Sequence, residues 1–368
     1  MRSGHLTALA AAALLAVPAA VATPAAAATT TPAWEVSVTG DDPRVDHLSS
    51  ITSARGGAAW AAGLVRPDGV ARSVMLRWDG HRWAEDTTPG LPRTGNWNTV
   101  SAASARDVWA YGWDQEGEVA AHYDGRRWQD TQLPRLPDDG WHNFHKLAAV
   151  PGKAWLAGGR WISTYENGRW SATDTGADHD IASIHARSAR DAWAVGSYNL
   201  PGVNLPPLVM HWDGRSWKDV ELPRSDQGLR LTSVYAESAR SVWAAGFVSS
   251  LEDGYEPKVL HWDGRSWTDA TGPVADLGPQ AVSGDGRGRV WLSGDENGFE
   301  DPPVFWRHDK RGWKKVPGAA APGDTHGYFV NGLAPAGHGR MWASGAYSRV
   351  IGEGTAEDLG LIERSRRR

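Results

Sequence analysis

Along this chain, short segments rich in Val, Trp and Thr alternate with clusters of Gly, Asp, Ser and Arg, a pattern that predicts β-strands joined by turns. The stretch from Leu231 to Pro273 is representative and reads as four strands: A at Leu231–Tyr235, B at Val242–Phe247, C at Lys258–Trp262 and D at Trp267–Thr271. Asp263-Gly264 between C and D is a tight hairpin signal, because Gly tolerates the positive φ that two-residue turns demand. The sequence "ESAR" makes the A-to-B turn, whereas the B-to-C connection is long, polar and different in every copy.

The same four-strand pattern recurs. Trp-x-x-Gly occurs at Trp60, Trp109, Trp155, Trp193, Trp243, Trp291 and Trp342, with successive copies 38 to 51 residues apart. An aliphatic residue precedes each in turn: Ile51, Val100, Leu147, Ile184, Val234, Val282 and Leu333. A second Trp follows at 83, 128, 170, 217, 267 and 313. Four-strand units at this period are the signature of a β-propeller. The seventh unit stops after strand C, and "TPAWEVSVTG" near the N-terminus supplies the missing strand D, led by Trp34. The expected fold is therefore all-β: a seven-bladed β-propeller of four-stranded blades, its last blade closed by the N-terminal strand so that no sheet edge is left exposed. The blades are expected at about 45–89, 97–134, 144–176, 181–223, 231–273, 279–319, and 330–368 plus 33–39. Together they occupy a propeller domain spanning 29–368.

These units resemble kelch-type blades. They are still more similar to the Trp-rich "VWAxG...HWDGxxW" repeats of secreted bacterial propellers, here "VWAAG" at Val242 and "HWDGRSW" at His211 and His261. The pattern departs from kelch in having a single Gly where a diglycine is usual, except at Gly158-Gly159. The resemblance implies architecture and says little about activity, since propellers host enzymes, lectins and scaffolds alike.

Composition narrows the setting. Arg2, the run "LTALAAAALLAVPAAVA" and Ala-x-Ala sites ending at Ala22 or Ala28 read as a secretory signal peptide over residues 1–28, so the expected location is secreted, extracellular. No cysteine is present, which excludes disulfides and also the cysteine-linked tyrosine that the copper site of galactose oxidase, a kelch-like enzyme, requires. A net charge of -5 and a pI near 6.2 argue against nucleic acid or an anionic membrane as partner. The basic end "RSRRR" reads as a solvated tail. "LPRTG" at Leu91–Gly95 fits a sortase signal in letters only, being internal and without a following apolar segment.

Twenty-two tryptophans suggest a lectin, yet eighteen follow the repeat and are expected in the core. The remainder, Trp97, Trp113, Trp141 and Trp161, fall near the D-to-A and B-to-C connections of blades 2 and 3, all on one face of the ring. With Asn98, His142 and His145 they form the candidate ligand site, in the company of Asp114, Glu116, Asp138, Asp139 and Asn143. Aromatic faces beside amides and carboxylates suit sugar rings. The alternative is that Trp97 and Trp161 are core residues of two irregular blades. Asp295, Asn297 and Asp301 could ligate calcium, but their spacing fits no full calcium loop and a solvated acidic loop explains them as well; no other cofactor or metal is implied.

No Gly-x-Ser-x-Gly, His-Glu-x-x-His or phosphate loop is present. The leading expectation is an exported, monomeric, non-catalytic propeller that binds an extracellular glycan or protein through its loop-bearing face, without inserting in a membrane. The alternatives are a polysaccharide-cleaving hydrolase or lyase, whose carboxylates would be sought among these acids together with His145, Gln280 and Asn331, and a scaffold or inhibitor of another exported protein.

Overall fold

A computed structural model describes residues 32–41, 44–92, 95–113, 117–136, 146–198, 206–222, 228–250, 254–275, 277–296, 302–352 and 355–367. It contains seven antiparallel four-stranded sheets. Six are built from consecutive strands, as in blade 5, whose strands A to D are Leu229–Ser238, Ser241–Ser250, Gly254–Trp262 and Trp267–Asp269. In the seventh, Thr325–Gly337, Arg340–Gly352 and Thr355–Ser365 are followed at the outer edge by Trp34–Val38 from the other end of the chain. Each A strand packs beside those of the two adjacent blades, and blade 7 packs on blade 1, so the ring is closed. Both the blade number and the closing strand agree with the sequence expectation. Among the described residues no helix is long and apolar enough to cross a membrane.

The Trp-x-x-Gly motif has two separate physical causes. All seven strand-B tryptophans are buried between blades. Each hides about 150–250 Å², worth roughly 4–6 kcal/mol gross before ordering costs. The glycine answers a different demand. In six blades strand A carries a β-bulge, with one extra residue at Ser49, Asn98, Ala182, Thr232, Gln280 or Asn331. The bulge pushes a strand-A carbonyl against strand B, and the residue facing it is Gly63, Gly112, Gly196, Gly246, Gly294 or Gly345. A Cβ at any of these would fall inside the van der Waals radius of that carbonyl oxygen.

The recurring "HWDG" is likewise a folding device. Asp263 Oδ1 accepts the backbone N–H of Arg265 at 2.7 Å and of Ser266 at 2.9 Å, and Asp79, Asp124 and Asp213 hold their turns in the same way. These backbone donors hold the carboxyls of Asp79, Asp124 and Asp263 below the usual range. The histidine lies over the strand-B tryptophan: His122 on Trp109, His211 on Trp193 and His261 on Trp243, at centroid distances of 4.1, 4.4 and 4.3 Å. Its Nε2 reaches Asp107, Asp191 or Ser241 at the start of strand B. These histidines are packed and hydrogen-bonded, leaving the inner strands and the loop-bearing face as the places where ligand chemistry can be presented.

Candidate ligand-binding site

The A strands line a central cavity of about 300 Å³. Hydroxyl side chains on these strands join neighbouring blades. Ser50 Oγ accepts the N–H of Val100, Thr99 Oγ1 that of Leu147, and Ser233 Oγ that of Val282. A second tier lies below: Thr52 accepts from Ala102, Ser101 from Ala149, and His185 Nδ1 from Ala236. Bulge residues add a third, with Thr232 donating to the Pro279 carbonyl at 2.6 Å and Asn331 to the Leu48 carbonyl at 3.5 Å. Inner-strand N–H groups that face the channel are thus paired across blades, which stiffens the ring.

What remains open to the channel is mostly uncharged. Its described lining includes no carboxylate; besides the hydroxyl side chains, its polar side chains are Lys146, His185, Tyr235, Gln280 and Asn331. Burial lowers the Lys146 amine, holds His185 at about 4 and raises the Tyr235 phenol to about 12. At the mouth, Asn331 Nδ2 lies 3.2 Å from His47 Nε2, and burial keeps that imidazole below its ordinary value.

The four tryptophans outside the repeat separate into distinct environments. Trp97 lies within strand A of blade 2 (Asn96–Ser104), opposite Gly112, and is 0% exposed in the core between blades 1 and 2. Trp161 opens strand C of blade 3 (Trp161–Glu166) after a tight connection, and packs with Trp109, Leu147 and Trp170. The sequence had offered both either as loop-face contacts or as core residues of two irregular blades, and they are core residues. Neither presents a ring to solvent, because each fills an inter-blade position. Trp113, at the end of strand B (Asp107–Trp113), is 51% exposed and is the only exposed tryptophan among the described residues. Trp141, His142 and His145 lie outside the described residues, as do Asp114, Glu116, Asp138, Asp139, Asn143, Asn297 and Asp301. Among the described residues no group of three His, Asp or Glu is arranged to hold a metal.

Around Trp113 the sheet supplies polar partners. Asn96 and Glu118 are its register neighbours on either side. Asn96 Nδ2 donates to Asn98 Oδ1 at 2.6 Å, and the Tyr111 hydroxyl donates to Glu118 Oε1 at 2.7 Å. Burial and the Glu118 charge push the Tyr111 phenol upward, so it stays a donor that fixes the carboxylate. An exposed indole, an amide pair and an oriented carboxylate therefore share the rim of one blade. Glu118 and Asn96 escaped the sequence reading; the signal that could have found them is their pairing with Trp113 across strands A, B and C.

No protein-family model and no curated protein matches this chain in sequence. In structure it is similar to YCF48 bound to a D1 peptide (TM-score 0.55, 15% identity, 93% of this chain and 99% of that one). It is also similar to U3-55K (TM-score 0.55, 9% identity, 87% and 95%). The extracellular domain of the hybrid two-component system BT4673 from B. thetaiotaomicron gives a TM-score of 0.58 at 12% identity over 92% of this chain, which spans 40% of that longer one. At these identities the likeness is one of fold, and the fold they share is the propeller.

Proposed function

We propose that this protein is an exported binding module that takes a carbohydrate on the loop-bearing face of the propeller, at the rim of blade 2. The observation that carries this reading is Trp113, 51% exposed in a chain whose other described tryptophans are buried or half-buried. An indole costs solvent-exposed apolar area when left uncovered, and a sugar C–H face is the kind of surface that covers it. The Asn96–Asn98 pair and Glu118 supply hydrogen bonds to hydroxyls around the stacked ring. Trp141, His142 and His145 complete the site in this reading, from the connection into blade 3. Nothing in the described rim demands a chemical step.

A protein partner is the second reading, and a separate observation favours it. Val70, Phe329 and Ile351 are 62%, 38% and 61% exposed near the loop-bearing ends of blades 1 and 7. The experiment is a glycan-array screen of the purified protein that reads both binding and loss of substrate. Binding without turnover that disappears in Trp113→Ala supports the carbohydrate reading. Turnover redirects attention to carboxylates at the channel mouth, and silence in both readouts favours a protein partner on the apolar rim.

A further inference from the structure

The opposite, turn-bearing face holds a groove of about 1000 Å³ where blade 7 meets blade 1. Blade 7 contributes Arg340, Arg364 and the turn at Gly337; blade 1 contributes Arg77, the Gly56-Gly57 turn and the segment Glu85–Thr88. The guanidinium groups of Arg340 and Arg364 form no hydrogen bond or ion pair with any described residue, and the Nε of each is shut off from solvent. The Arg364 guanidinium lies 4.7 Å from the Trp342 ring and 5.3 Å from Trp78, which fixes its plane.

The charges facing this pair are unbalanced. Arg366 and Arg367 follow on the same chain end, and Glu35 on the adjacent strand is engaged by Arg366 at 3.6 Å. Burial, then the neighbouring guanidinium charges, holds Arg340 and Arg364 below the ordinary arginine value. On the far wall, Asp79 is committed to its own turn, and Asp86 to the Thr88 N–H and Trp128 Nε1, which leaves Glu85 exposed. A second fixed cation with no counter-ion, set in a groove, is a recognition element for a carboxylate, whose two oxygens match the guanidinium edge.

We propose that this groove binds an acidic peptide segment, with a carboxylate docked on Arg340 and Arg364 and backbone amides facing Glu85 and Thr88. A glycan lacks an indole or phenyl platform here, since Trp78 is the only Trp, Tyr or Phe of the described lining and is 8% exposed. This site is independent of the carbohydrate reading on the other face.

The test is fluorescence anisotropy of the purified full chain with two labelled probes: N-acetyl hexaglutamate with an amidated C-terminus, and a Gly-Ser hexapeptide with a free C-terminal carboxylate. Trigalacturonate serves as an unlabelled competitor. Arg340→Gln and Arg364→Gln should each weaken the binding of whichever probe is held by about tenfold, the loss expected for one charge-assisted contact. Wild-type affinity should fall as salt rises. Binding of the first probe assigns side-chain carboxylates, and binding of the second assigns a chain terminus; either supports the proposal if the arginine variants weaken it by about that factor. Arg364→Lys retains the charge with less disturbance of the stack and should fall between the two. Unchanged affinity in Arg340→Gln, displacement of a bound probe by trigalacturonate at lower concentration than by the unlabelled peptide, or no binding of either probe overturns it.

Discussion

Blade 5 and blade 7 have the same strand order, and the differences between them show what a tight turn is worth. In blade 5, strand D is tied to strand C by Asp263-Gly264 and is only three residues long, Trp267–Asp269. In blade 7 the outer strand arrives from the far end of the chain with no turn to hold it, so its docking must offset a large loop-closure entropy. It pairs over Trp34–Val38, from Trp34 opposite Ser365 to Val38 opposite Ile362. Trp34 is 0% exposed, stacked on Phe305 at 3.9 Å and edge-on to Trp291 at 5.4 Å. Beyond the strand, Arg349 forks onto Asp41 at 3.0 and 2.9 Å, and the Tyr347 hydroxyl donates to the Thr39 carbonyl. The A and B strands of blade 7 reach thirteen residues each, against ten in blade 5. Where covalent proximity is missing, the chain substitutes longer ladders, a buried stack and ion pairs.

The sharpest way to break this comparison is to remove the two equivalent tryptophans. Trp34→Ala should cost about 3–5 kcal/mol, and more than Trp267→Ala, because the outer strand of blade 7 also loses its anchor. Thermal unfolding of both variants checks the order; an equal loss would mean that the turn contributes nothing to blade 5.

Glu363 provides the next effect. It is 1% exposed in strand C of blade 7, and its Oε1 accepts the Ala319 N–H at 2.7 Å. Burial raises its carboxyl from 4.5 to about 8. Between those values the unfolded chain has released the proton while the folded chain retains it, so this group's contribution falls as pH rises from about 4.5 to about 8. Glu363→Gln keeps an acceptor and removes the titration. It should stabilise the protein by up to a few kcal/mol at pH 8 and change little at pH 4, as read from melting curves across that range. His185 acts in the opposite sense, held at about 4 against 6.5, and its contribution is lost as pH falls through that interval.

Gly246→Ala tests blade 5 itself. Its Cβ would meet the Arg230 carbonyl across the bulge, and overpacking against backbone costs about 1–3 kcal/mol. A denaturant midpoint unchanged from wild type would disprove the steric account of the motif. The smallest effect on stability belongs to Trp113→Ala, within about 0.5 kcal/mol for an exposed position, even though it should abolish glycan binding. A large loss of stability there would assign Trp113 to the fold.

The repeat was legible because its physics recurs: a tryptophan between every pair of blades, a glycine opposite the bulge at Ser49, Asn98, Ala182, Thr232, Gln280 or Asn331, and an aspartate in the C-to-D turns of blades 1, 2, 4 and 5. The undecided placement of Trp97 shows where that reading stopped. It occupies the position held by Leu48, Ile181, Leu231 and Val330 in other blades, all residues directed into the core, so aligning the A strands residue by residue would have exposed it as packing. Trp161 misled for another reason: blade 3 shortens its B-to-C connection to Gly159-Arg160, so a residue expected in a loop starts a strand. The arginine groove was not legible at all. Arg77 and Arg364 stand near opposite ends of the chain, and only ring closure brings them to one wall, while "RSRRR" read as a tail although Arg364 and Ser365 belong to a strand.

Closure by the N-terminal strand also sets an order of events. Synthesis delivers Trp34–Val38 first, yet its hydrogen-bonding partner, Thr355–Ser365, is the last strand made. Until then the nascent chain is an arc with two raw edges, and the first of the described strands to be made has to wait for the last. A truncation that removes only the final strand should therefore release both ends at once, and joining Ala33 to Arg366, already hydrogen-bonded through their backbones, would allow the chain to be reopened at the turn of blade 5. Such a circular permutant would exchange the roles of the two blades compared above, making blade 7 continuous and blade 5 the clasp.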